Sequence, residues 1–166
     1  MANGPRYKVA FRRRREGRTD FRQRAALLRA RIPRAVVRTS LRHTSVQLVS
    51  YDAKGDFVVA TAHSRELLDL GWKASTGNLP AAYLTGYLAG MRAKKKGVEE
   101  AVLDIGLKEP VKGAACFATL KGLLDAGVDI PHSKEILPSA DRVKGKHINA
   151  EMEKMMDEVK NRMEVD

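Results

Sequence analysis

From Phe11 to Arg24 the chain reads FRRRREGRTDFRQR, in which seven of fourteen residues are arginine and two, Glu16 and Asp20, are acidic. A guanidinium is a planar, permanently charged fork. It grips phosphate or guanine through paired hydrogen bonds and stacks on bases, whereas lysine is a hydrated point charge. The two cations are sorted along the chain: the first 45 residues hold 13 Arg and one Lys, Lys8, and residues 46–166 hold 4 Arg and 13 Lys. Through residue 45 there are 14 Lys+Arg against 2 Asp+Glu, or +12; beyond it there are 17 against 18, or −1, which leaves the chain at +11. This distribution predicts a polyanion-binding arm on an almost neutral body. Tyr7 and Phe11, interleaved with the cations, offer stacking surfaces for bases or anchors to the body. A charge run is often only a solvated tail, but here arginine continues into the folded part through Arg22, Arg24, Arg29, Arg31, Arg34, Arg38 and Arg42.

Other chemistries find weaker footing. His63, Ser64 and Glu66 lie within HSRE, but no G-x-S-x-G elbow exists and neighbours on one strand end do not make a triad, so a structural His and a helix N-cap are expected there. Asp104 closes a short apolar run and, with Asp52 or Glu66, resembles half of a two-metal nuclease site, which is a weak pattern. GKHI lacks the earlier glycine of a phosphate-cradling loop. One cysteine, Cys116, and histidines at 43, 63, 132 and 147 give neither a disulfide framework nor zinc-ligand spacing. No catalytic residue, metal or cofactor is therefore expected, and a reducing, intracellular setting fits. No apolar run reaches the ~20 residues of a membrane span, and the N-terminus has no secretory-type apolar stretch. Gly4, Pro5 and Gly17 interrupt what would otherwise read as an Arg-rich mitochondrial presequence.

The elements that must position these residues follow from periodicity. Residues 1–18 lack apolar periodicity and read as an extended arm that orders on a partner. TDFRQRAALLRARIP reads as a helix capped by Thr19 or Asp20 and ended by Pro33. RAVVRTS, SVQLVSY and FVVATAH read as a three-stranded antiparallel meander with DAKGD as a hairpin turn. In the second strand, Val46 and Leu48 face one side and Gln47, Val49 and Tyr51 the other. In TGNLPAAYLTGYLAGMRAKKKG, Leu79, Tyr83, Tyr87 and Met91 recur every four residues; Gly97 ends the helix, and Gly86 and Gly90 mark close packing, with the sheet as a candidate partner. EAVLDIG reads as a short strand and GAACFATLKGLLDAGV as a helix. NAEMEKMMDEVKNRMEV reads as an amphipathic helix whose methionines dock on its own domain. The fold class is α/β: an antiparallel strand meander extended into a mixed sheet packed by helices, with a basic N-terminal arm. The domains run 1–18 (arm), 19–148 (body) and 149–166 (C-terminal helix).

The blocks GPRYKVAFRRRREGRTDFRQR, PRAVVRTSLRH, AHSRELLDLGWKASTGNLPAAYLTGYLAG, EEAVLDIGL and DIPHSKEILPSADRVKGKHI occur in order over about residues 4–148. Together they resemble the archaeal version of large-subunit ribosomal protein eighteen, the 5S-rRNA-binding family whose eukaryotic counterpart is a longer protein numbered five. TGN-PAAYLTG and IPHS-EILP are its most specific segments. The resemblance implies a non-enzymatic protein that binds 5S rRNA and, with the other 5S-binding protein, fixes it to large-subunit rRNA in the central protuberance. It places rRNA contacts at Arg6, Tyr7, Lys8, Arg12, Arg13, Arg14, Arg15, Arg18 and Arg22, and the PRAVVRTSLRH block adds Arg38, Arg42 and His43. Thr76, Gly77 and Asn78 match the loop before the long helix; His132, Ser133, Arg142, Lys144, Lys146 and His147 match a late basic loop. The ribosome in the cytoplasm is the implied location, and a general nucleic-acid binder without 5S selectivity is the alternative.

Overall fold

Alternation of side chains across β-strands decides which face of the sheet meets the core. The computed structural model describes residues 4–149 and 151–165. In chain order these form α1 (Arg12–Arg15), α2 (Phe21–Leu28), β1 (Arg34–Thr39), β2 (Thr44–Ser50), β3 (Phe57–His63), α3 (Glu66–Asp69) and α4 (Leu79–Lys95). They continue as β4 (Val102–Asp104), α5 (Ala115–Asp125), a 3-10 turn (Lys134–Ile136), α6 (Ala140–Val143) and α7 (Met152–Val165). The sheet order is β3-β2-β1-β4. β1, β2 and β3 pair antiparallel, and β4 lies parallel beside β1 with Val36 opposite Asp104. This is the expected meander extended into a mixed sheet.

One face of the sheet buries Ala35, Val37, Val46, Leu48, Ala60 and Ala62. α4 covers it, is itself covered by α5, and carries twelve buried residues. A helix apolar on nearly every side belongs between two layers. Gly86 and Gly122 are the reason these layers approach so closely. A Cβ on Gly86 would stand 2.1 Å from the Thr119 carbonyl oxygen, and one on Gly122 would stand 2.1 Å from that of Tyr83. The small-residue face of α4 therefore meets another helix rather than the sheet. Met152, Met156, Val159 and Met163 of α7 are buried in the same core.

Three local expectations are revised. α2 stops at Leu28 rather than running to Pro33, because Arg31 adopts φ +56° and turns the chain toward β1. Val49 is buried beside Leu48 because the β2–β3 register shifts between them, so strict alternation breaks at that bulge. Ser64 does not cap α3; its hydroxyl accepts from the Thr44 backbone N–H at 3.1 Å. Cys116 is 4 % exposed in the core, and burial pushes its thiol pKa up. Alkylation by iodoacetamide at neutral pH is therefore expected to be slow in the folded chain and to accelerate on unfolding, measured by mass shift against time in increasing urea.

Candidate nucleic-acid interface

The arm is held locally and lightly. Tyr7 is half-exposed; Phe11 lies 5.5 Å, centroid to centroid, from Phe21 yet remains 75 % exposed. Within an arm expected to be extended, Arg12–Arg15 form one helical turn with no buried residue. Arg12 and Arg18 each approach Glu16 at 3.2 Å, and Arg13 Nε donates to Thr19 Oγ1 at 2.8 Å. Arg6, Lys8, Arg14, Arg15 and Arg22 have no carboxylate partner among the described residues. Asp20 caps α2 by accepting from the N–H groups of Arg22 and Gln23. The arm thus presents cations that no internal acid neutralises.

A second group gathers where β1 and β4 end. The Ser40–His43 turn between β1 and β2 packs on the loop before α4. Thr76 Oγ1 donates to the Arg42 carbonyl at 2.7 Å and lies 3.2 Å from His43 Nδ1, which is also 3.2 Å from Ser64 Oγ. Gly77 allows this approach, since a Cβ there would sit 2.5 Å from the Leu41 carbonyl. Asn78 Oδ1 accepts from Ala81 N–H and so serves as the helix cap. Arg42 projects from the turn, and Leu41 is 98 % exposed beside it, a residue that polarity-based reading passed over. The late loop reaches the start of α4, where Gly145 sits against Pro80, and the loop before α5, where the Gly113 N–H donates to the Ile136 carbonyl.

In the late loop the cations are not equally available. His132, Ser133, Arg142 and His147 are exposed, while Lys144 is 2.6 Å from Glu153, which raises the lysine's pKa and lowers the carboxylate's. Lys146 lies 3.2 Å from Asp141 and 3.8 Å from Glu153. These two lysines spend much of their field inside the chain.

Not every arginine of the basic run faces outward. Arg34 is only 4 % exposed and lies between two carboxylates, Asp56 and Asp104, each at 2.8 Å. Arg24 grips Asp56 through both carboxylate oxygens, at 2.9 and 2.8 Å. Arg38 Nη2 reaches Asp104 at 3.0 Å, while its Nη1 donates to the Asp104 and Val37 carbonyls. Arg24–Asp56–Arg34–Asp104–Arg38 is therefore one ion-pair chain pinning α2 and β4 to β1. Arg24 and Arg34 are structural, and their place in the basic run is no sign of an RNA face. Arg38 is half-exposed at the end of the chain of pairs. Asp104 is committed to two guanidiniums and the Gly106 N–H, which leaves little of the open coordination a two-metal site requires. Among the described residues no three His, Cys, Asp or Glu side chains stand together as a metal site.

Comparison with known proteins decides what this architecture belongs to. The family of ribosomal large subunit proteins 60S L5 and 50S L18 matches residues 5–100 and 93–133. The chain belongs to this family. The large ribosomal subunit protein uL18 of Korarchaeum cryptofilum (strain OPF8) is 56% identical over 158 residues, covering 95% of this chain and 81% of that protein. As an L5/L18-family chain it is a protein of the large ribosomal subunit. The family match includes the arm, the whole sheet and α4, and ends at Ser133, so Arg142–His147 lie beyond it.

Proposed function

We propose that this chain binds 5S rRNA and helps attach it to the large rRNA of the central protuberance, beside the other 5S-binding protein. The single observation that carries this is the concentration of +12 in the first 45 residues of a large-subunit protein. A-form RNA hides its major-groove edges, so proteins recognise its shape, phosphates, 2′-hydroxyls and splayed bases. The arm supplies sequence-tolerant affinity through arginine and phosphate. The Arg42–His43 turn with the Thr76–Asn78 loop packed on it, and the His132–His147 segment, supply a shaped surface that selects one RNA.

Removing residues 1–18 tests the division of labour. Residues 4–18 carry seven Lys and Arg, and each phosphate they neutralise contributes ~0.7–0.9 to the log-log salt slope. The 19–166 chain is expected to bind 5S rRNA with a slope smaller by about 5–6 units if all seven meet phosphates, while keeping its unfolding midpoint. Equal binding by both chains at every salt concentration would remove the arm from the interface.

A further inference from the structure

Arg38 differs from the arginines of the arm in being held by three partners while half of its side chain stays exposed. Two carbonyls and the Asp104 carboxylate fix its guanidinium in position. Gly106 fixes its plane: a Cβ built there would lie 2.9 Å from Arg38 Cζ, 3.1 Å from Nη2 and 3.2 Å from Nε. Because the central carbon is nearest, Gly106 lies over the flat of the guanidinium rather than at its rim. With φ +68°, this position favours glycine, which keeps the surface beneath Arg38 clear. The side chain remains 49% exposed.

Arg38 helps to line a cleft of about 780 Å³ between the arm, α2 and the loop after β4, which is within the size range of ligand sites. Arg13, Arg18 and Lys108 add cations to its lining, Phe21 and Leu107 apolar surface, and Gln23 an amide. Among the described residues the side-chain amide of Gln23 takes part in no hydrogen bond within the chain, so it remains able to read a base edge.

We propose that this cleft receives one splayed-out nucleotide of the bound RNA, its base stacked on the free face of Arg38 and its phosphate met by Arg13, Arg18 and Lys108. The inference rests on the RNA-binding reading above and adds a specific stacking site to it. A base laid on a guanidinium plane is an established mode of RNA recognition, and a plane already ordered loses less entropy on binding. Lysine at this position would keep the charge and lose the plane.

The test is base-specific chemical probing of 5S rRNA bound to the full chain, comparing wild type with Arg38→Lys and with Gln23→Trp, which fills the cleft and leaves the ion pairs intact. Lys154→Ala, on the exposed side of α7, is the control. The expected result is one unpaired base protected by wild type and by the control but reactive again with both cleft variants, the rest of the footprint unchanged and affinity about ten-fold weaker. Urea unfolding shows whether Arg38→Lys is folded; if it is not, Gln23→Trp decides by the same criterion. A footprint and affinity that no folded cleft variant alters would overturn the stacking site. If wild type binds an unrelated structured RNA as well as 5S rRNA, and still protects a single base that the cleft variants release, 5S selectivity fails while the cleft stands.

Discussion

Replacing Asp104 by alanine is expected to lower folding stability by about 3 kcal/mol, the low end of the cost of removing one partner from a buried ion pair, since Arg34 keeps Asp56. Asp104 accepts from Arg34 Nη1 at 2.8 Å, Arg38 Nη2 at 3.0 Å and the Gly106 N–H at 2.9 Å. Arg34 is almost completely buried and its Nε has no acceptor among the described residues, so Asp56, at 2.8 Å from Nη2, would be left as its one carboxylate partner. The loss should appear in urea titration as a lower midpoint at nearly unchanged slope. The double substitution Arg34→Met with Asp104→Leu should recover much of it, because removing both charges is far less costly than removing one. A small loss in the single variant would mean that Asp104 is not the central pairing of this network. No metal-dependent cleavage of labelled RNA is expected from wild type or variant; wild-type cleavage abolished by Asp104→Ala would revive the nuclease reading.

The second large effect is at the α4–α5 contact. Gly86→Ala is expected to destabilise the chain by about 3 kcal/mol, at the upper end of overpacking costs, because its Cβ would meet backbone rather than a movable side-chain tip. The atoms in its way are the Thr119 carbonyl oxygen at 2.1 Å and carbon at 2.9 Å. Gly122→Ala meets the Tyr83 carbonyl oxygen at 2.1 Å and the Tyr87 nitrogen at 2.7 Å, so a comparable loss is expected. Once one substitution has forced the helices apart, the other should cost less. A double-mutant cycle by urea unfolding should therefore give a loss clearly below the sum. Additive losses would show that the two contacts yield independently.

Much of the fold was legible because it rests on short-range patterning. β-branched runs separated by DAKGD mark the hairpin, and Leu79, Tyr83, Tyr87 and Met91 mark α4. The partner of Gly86 was not legible, since four-residue spacing says that something approaches but not what. The bulge at Val49 depends on how β2 and β3 pair, which neither strand alone states. Of the candidate site, composition marked the arm and local motif resemblance marked the Thr76–Asn78 and late loops. Charge counting could not separate Arg34 from Arg38: the two sit on the same strand face, four residues apart, and differ only in what covers them. Asp56, distant in sequence from both Arg24 and Arg34, carries no local signal of its pairing. Gly106 beneath Arg38 likewise becomes meaningful only when β4 lies beside β1.

On the proposed division of labour, the body selects 5S rRNA and the arm adds affinity to that choice. The most direct measurement is a competition titration of the full chain on labelled 5S rRNA against unrelated structured RNA and duplex DNA, at several salt concentrations. 5S rRNA is expected to be preferred by orders of magnitude at moderate salt, with selectivity that persists as the electrostatic contribution is screened. Equal competition by all three nucleic acids at every salt concentration would contradict it.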